Sequence, residues 1–157
     1  MKIAIGNDTK GYHLKLHLVK KLRERSYEVD DLGCDGVYPP VDYPDYAKAV
    51  CDGVVSGKYE RGILICGTGI GMSIAANKLP GIRAALCYDL ATASNAREHN
   101  YANVLTLGAG FLGTALALQI VETWLATDWG AERHGRRVEK ISAIERSYTG
   151  APGGKDR

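Results

Sequence analysis

The sequence predicts an α/β fold: a three-layer, doubly wound sheet of five parallel strands with helices on both faces. Two observations carry this. Short apolar runs alternate strictly with segments of helical period from residue 2 to residue 148. Glycine or polar residues close each run, which places chain reversals where a βαβ crossover needs them. No internal repeat or linker interrupts the alternation, so residues 1–148 read as one domain. Residues 149–157, rich in Gly and Pro, read as a disordered tail.

The elements follow in order. Residues 2–5 form a buried strand ending at Gly6, with polar Asn7 and Asp8 next. Leu14, Leu18 and Leu22 recur every fourth residue, a helical stripe. Residues 28–32 form a second strand, closed by Gly33, and the loop 36–44 holds three prolines. Tyr46, Ala47, Val50 and Val54 mark a second helix. Residues 62–66, Gly-Ile-Leu-Ile-Cys, are the most apolar strand and read as central. A turn over 67–71 leads to a helix over 72–78, broken by Pro80-Gly81. Residues 84–88 and 104–107 complete the strands, with a helix over 91–98 between them. A helix over 113–126 carries Leu116, Ile120, Val121 and Trp124 on one side, and a last helix spans 136–148.

Charge and composition narrow the function. The chain has 20 Lys+Arg against 18 Asp+Glu, a net +2, too balanced for a nucleic-acid or membrane partner. Cys34, Cys51, Cys66 and Cys87 make no CxxC unit and read as reduced thiols. No secretory or membrane-length apolar run is present, so a cytoplasmic setting is expected.

Ligands of doubly wound sheets sit beyond the strand C-termini. That rim collects Asp8, Tyr43, the turn from Cys66 to Gly71, Asp89 and Gly108-Ala109-Gly110. Glycines at 67, 69 and 71 let backbone N–H groups at a helix start approach an anionic oxygen. The turn departs from a dinucleotide fingerprint, since Met72 stands in the third glycine's place and the turn follows the third strand. It also lacks the Gly-Lys-Ser/Thr of a phosphate-binding loop. Cys66 at the strand end has two readings: a small buried hydrophobe, or a thiolate base favoured by the following helix start. His99, at the close of the fourth helix and near the rim, reads as an exposed cap or a proton donor. Arg133 and Arg137 are four apart and read as a solvated face or a fork for an anion. His13 and His17 have zinc-compatible spacing but no third ligand, so no metal site is expected. Asp8 and Asp89 read as rim carboxylates or helix caps.

These residues together resemble the ribose-5-phosphate isomerase B family, which includes the galactose-6-phosphate isomerase subunits. The resemblance runs from residue 1 to about residue 144. It is strongest over 62–78 and 80–85, and recurs at Val41-Asp42-Tyr43-Pro44-Asp45-Tyr46-Ala47, Ala96-Arg97-Glu98-His99-Asn100 and Arg133-His134 with Arg137. It implies a flavodoxin-like or Rossmann-like fold and an aldose–ketose isomerase needing no metal or cofactor. Cys66 matches the base, and Gly67, Gly69, Ile70 and Gly71 match the turn that holds the enediolate oxygen. Thr68 and His99 match ring-opening residues. Asp8, Tyr43 and Asn100 match substrate-contacting positions, Thr9 occupies a further substrate-binding position, and Arg133 and Arg137 match phosphate positions. The resemblance further implies a homodimer or homotetramer with shared active sites. Two positions depart from the pattern: Thr9 stands where the family has histidine, and Gly110 where it often has arginine. They leave open a tetrose phosphate, a hexose phosphate or an unphosphorylated sugar. The fold class also accommodates a non-catalytic nucleotide or sugar-phosphate binding module.

Overall fold

The computed structural model describes residues 1–149. The anticipated tail beyond Thr149 lies outside the described residues. In chain order the elements are β1 (Lys2–Asn7), α1 (Tyr12–Glu24), β2 (Glu28–Asp31), α2 (Tyr43–Val55), β3 (Arg61–Cys66) and α3 (Ile70–Ala76). Then come β4 (Ala84–Leu86), α4 (Leu90–Glu98), β5 (Val104–Gly108), α5 (Thr114–Ala126) and α6 (Glu132–Thr149).

The sheet is parallel throughout, in the order β2-β1-β3-β5-β4. This is the expected doubly wound, flavodoxin-like architecture, with the last two strands exchanged relative to the common 2-1-3-4-5 order. Burial explains the exchange. β3 and β5 are buried along their whole length and take interior positions, whereas the three half-buried residues of β4 form a short edge.

Helices cover both faces. α1, α4 and α5 bury Leu14, Leu18, Leu22, Ala93, Ile120, Val121 and Trp124 against one face. α2 and α3 bury Ala47, Val50, Cys51, Met72 and Ala76 against the other. Burial also pushes the thiols of Cys51 and Cys87 up to about 12 and about 11, marking both as packing residues. Leu116, expected on the packed side of α5, is instead substantially exposed. The buried stripe runs through Ala117, Ile120, Val121 and Trp124, one residue further round the helix. α3 starts at Ile70 because Gly69 caps it, and α6 starts four residues earlier than its apolar pattern suggests.

The rim at the strand N-termini is locked by arginines. Arg61 donates to the carbonyls of Trp124 (3.0 Å) and Leu125 (2.8 Å), the C-terminal end of α5. Arg97 donates to the Ala102 carbonyl at 2.7 Å. Both guanidinium groups lie over the Trp124 ring, at 5.4 and 5.9 Å. Burial, reinforced by Arg61 and Arg83, lowers Arg97 to about 10. α6 crosses this same rim, where Glu145 accepts the Gly81 N–H at 2.9 Å. No helix among the described residues is long and apolar enough to cross a membrane.

Trp124→Ala removes the ring that both arginines cover. It is expected to lower the unfolding free energy by about 3–5 kcal/mol in urea titration. A loss under about 1 kcal/mol contradicts this packing role.

Candidate active site

Parallel pairing brings the strand C-termini to one rim. β1 hands the chain to Asp8, whose N–H donates to the Ile65 carbonyl at 3.1 Å. The Asp8 carboxylate accepts from Lys10 N (2.9 Å) and Gly11 N (3.1 Å), so it caps the turn that carries Thr9. Asp89 caps α4 in the same way, through a capping box with Thr92.

β3 delivers Cys66 to this rim, 5% exposed. Its Sγ accepts the Gly69 N–H at 3.1 Å. Gly69 sits at φ 76°, a left-handed position, and an added Cβ would meet the carbonyl carbon of Leu107 at 2.9 Å. The next N–H, at Ile70, goes to Thr68 Oγ1 at 3.2 Å. Two donors of the expected cradle are therefore engaged within the turn. The helix supplies no acceptor for the N–H of Gly71. Gly71 also admits Tyr43: a Cβ there would lie 2.8 Å from the phenol ring.

The end of β5 pins the turn from behind. Ala109 N donates to the Cys66 carbonyl and Gly110 N to that of Gly67, both at 2.9 Å. Tyr88 donates its hydroxyl to the Thr68 carbonyl. Burial and the neighbouring Cys66 raise the Tyr88 pKa. Phe111 packs edge-on against Tyr88 at 6.1 Å, and the two line an apolar notch of about 350 Å³ with Thr68 and Ile70. Sequence reading missed Tyr88 and Phe111. The available signal was an aromatic residue at the end of one strand and another just past the next, both on the ligand rim.

His99 and Asn100 lie elsewhere. Helices in a parallel α/β fold run back against the strands, so the end of α4 returns to the strand N-termini. There Asn103 accepts the N–H of Gly62, the second residue of β3, and its side chain accepts that of Arg83. From Gly62 to Cys66 is about 13 Å of strand at 3.3 Å per residue. The placement of His99 near the Cys66 rim is thus corrected to the opposite rim. α6 starts at Glu132, so Arg133 and Arg137 do share a helical face, exposed on that same opposite rim. In one copy of the chain, Asp8, Thr9, Tyr43 and the Cys66 turn come together, while His99, Asn100, Arg133 and Arg137 form a second group.

His134 belongs to that second group. It is 4% exposed, stacks on His99 at 4.3 Å with 17° between ring planes, and leaves Nε2 without a partner among the described residues. His99 Nε2 is 3.8 Å from Glu98 Oε1. Asn100 donates to the Asn95 carbonyl at 3.4 Å. No group of three or more His, Cys, Asp or Glu gathers to hold a metal among the described residues.

The chain matches known proteins over most of its length. The family model described as Ribose/Galactose Isomerase matches residues 3–141. The chain belongs to that family. It is an aldose–ketose isomerase. A solved ribose-5-phosphate isomerase B from Clostridium thermocellum superposes with TM-score 0.93 at 52% identity, covering 95% of this chain and 100% of that one. Ribose-5-phosphate isomerase B of Escherichia coli is 47% identical over 92% of this chain and 96% of its own length. D-erythrulose-4-phosphate isomerase of Pectobacterium atrosepticum is 41% identical over 92% of this chain and 95% of its own. Family membership sets aside the reading as a non-catalytic module.

Burial lowers the His134 pKa from its ordinary 6.5, helped by His99, Arg133 and Arg137 and opposed by Glu98. The unfolded chain therefore binds the extra proton first as pH falls. The His134 contribution is intact above about 6.5 and is lost below it. Wild type is expected to lose more stability than His134→Phe between about pH 7.5 and pH 5.5 in urea titrations, and parallel losses would contradict the buried neutral imidazole.

Proposed function

We propose that this isomerase acts on a phosphorylated aldose of the ribose 5-phosphate type, through an enediol, with Cys66 as the base. The observation that carries the reading is the Gly69 N–H held on Cys66 Sγ at the mouth of the glycine turn. That donor orients the sulfur and bonds more strongly to a thiolate than to a thiol. Cys66 takes the proton from C2 of the open aldose and returns it to C1, while the hydroxyl proton passes from O2 to O1. The Gly71 N–H and the surrounding glycines stabilise the oxygen on which charge develops. Asp8, Thr9, Tyr43 and Asn100 contact the sugar hydroxyls, and Thr68 and His99 assist ring opening.

The separation of the two rims sets the assembly. His99, Asn100, Arg133 and Arg137 reach Cys66 only from a second copy of the chain. An isologous pair builds two equal sites, each with the turn of one copy and the His99–Arg137 group of the other. Arg133 and Arg137 then present two guanidinium forks to the substrate phosphate.

A second reading changes the sugar and keeps the chemistry. Thr9 and Gly110 remove a histidine and an arginine from the phosphate end, and one relative acts on D-erythrulose 4-phosphate. Loss of a charge-assisted bond costs about 1.5–3 kcal/mol, roughly tenfold or more in preference. The stem of Lys10 lies beside Gly67 and brings one positive charge back to this rim.

The test is a panel of ribose 5-phosphate, a tetrose 4-phosphate, a hexose 6-phosphate and free ribose, with ketose formation followed for wild type and Cys66→Ser. Wild type is expected to convert at least one phosphorylated sugar in preference to free ribose. Cys66→Ser is expected to lose about 10²–10⁴ in kcat with KM nearly unchanged. Retention of more than about a tenth of the wild-type rate removes Cys66 from the role of base.

A further inference from the structure

We propose that His134 is a positioning residue for His99, an aromatic platform that holds the ring-opening imidazole in its working orientation. The inference rests on the assignment of His99 to ring opening.

His99 needs external support. It is the cap residue of α4, its side chain is 40% exposed, and Glu98 Oε1 is 3.8 Å from its Nε2. A side chain so placed at a helix end rotates freely unless something packs on its ring. His134 does so from another element. It comes from the first turn of α6, is almost fully buried, and lies nearly parallel to His99 at 4.3 Å. Its backbone is fixed as well, because its N–H donates to the Ala131 carbonyl at 2.8 Å. The adjoining Gly130 donates to the Glu98 carbonyl at 2.9 Å, which ties the start of α6 to the end of α4.

The chemistry suits a platform better than a second acid. His134 Nε2 is buried and has no partner among the described residues, so it does not orient His99 by a hydrogen bond. Two imidazolium rings at stacking distance repel one another. The titratable groups around His134 are Glu98 and His99 at the end of α4 and Arg133 and Arg137 on α6; burial first, then His99 and the two arginines, lower its pKa against the opposing Glu98 and so favour the uncharged ring. His99 therefore faces a flat ring that packs on it without adding a second acid. Ring opening of the aldose breaks the C1–O4 bond, puts a proton from His99 on O4, and releases the O1 proton to water. A tilt of His99 would misdirect that transfer, and a misplacement of about 1 Å can cost about a hundredfold. Arg133 and Arg137 flank His134 on the same helix, so one short segment sets both the anion forks and the acid.

The test separates ring opening from proton transfer at carbon. Ribose 5-phosphate is cyclic, whereas ribulose 5-phosphate carries its phosphate on O5 and cannot close a furanose ring. Ketose formation from ribose 5-phosphate therefore reports both steps. Exchange of the C1 hydrogen of ribulose 5-phosphate in D2O reports the enediol step alone. His134→Ala is expected to slow the first by about tenfold or more and the second by less than about twofold. His134→Phe, which keeps a flat ring, is expected to restore the first to within about threefold of wild type. Equal losses in both assays, no loss in either, or failure of the phenylalanine to restore the first would overturn the proposal. Absence of both activities in wild type would instead overturn the substrate reading on which it rests.

Discussion

In a parallel α/β fold every strand ends on one rim, and every helix that follows runs back to the other. The hydrogen-bonded ladder makes this rule stiff here, because β3 is buried throughout and paired to β1 over residues 61–65 and to β5 over residues 62–66. Cys66 is therefore committed to one rim, and His99, at the end of α4, to the other. No side-chain rotation spans the strand between them. The proposed dimer follows from this separation: chemistry that needs both groups needs two copies facing each other.

Each rim is built for its part. On the Cys66 side, the glycine turn is held by backbone bonds from Ala109 and Gly110 and by the Tyr88 hydroxyl, so the sulfur and the start of α3 keep one geometry. Behind it, Asn7 donates to the Asp8 carbonyl (2.7 Å) and to Cys34 Sγ (3.2 Å). Lys15, 2% exposed, bonds Asp31 at 2.8 Å and the Cys34 carbonyl at 3.0 Å, fixing the start of the loop that leads to Tyr43. On the His99 side, Arg61 and Arg97 clamp Trp124 and hold the ends of α4 and α5 together. α6 crosses that rim with Arg133 and Arg137 exposed and His134 turned inward.

Most of the architecture was legible in the sequence because strands and helices have different apolar periods. Gly-Ile-Leu-Ile-Cys announces a central strand, and Leu14, Leu18 and Leu22 announce a packed helix face. The strand order was less legible. It depends on how deeply β4 and β5 compete for the interior, which local pattern does not report. The Cys66 turn, Asp8 and Tyr43 were placed correctly relative to one another, since all follow strand ends. His99 was placed on the wrong rim because proximity to a helix end was read without the direction of that helix. Lys15 and the packing of His134 were invisible, since each depends on a partner distant in sequence.

The central claim is that a working site takes Cys66 from one copy and the Arg133–Arg137 group from another. Subunit complementation tests it directly. Cys66→Ser and the double variant Arg133→Ala/Arg137→Ala are each made inactive, then unfolded, mixed in equal amounts and refolded together. Random pairing makes half of the dimers hybrid, each with one intact site, so activity is predicted to return to about a quarter of wild type. A mixture as inactive as its components would contradict the account.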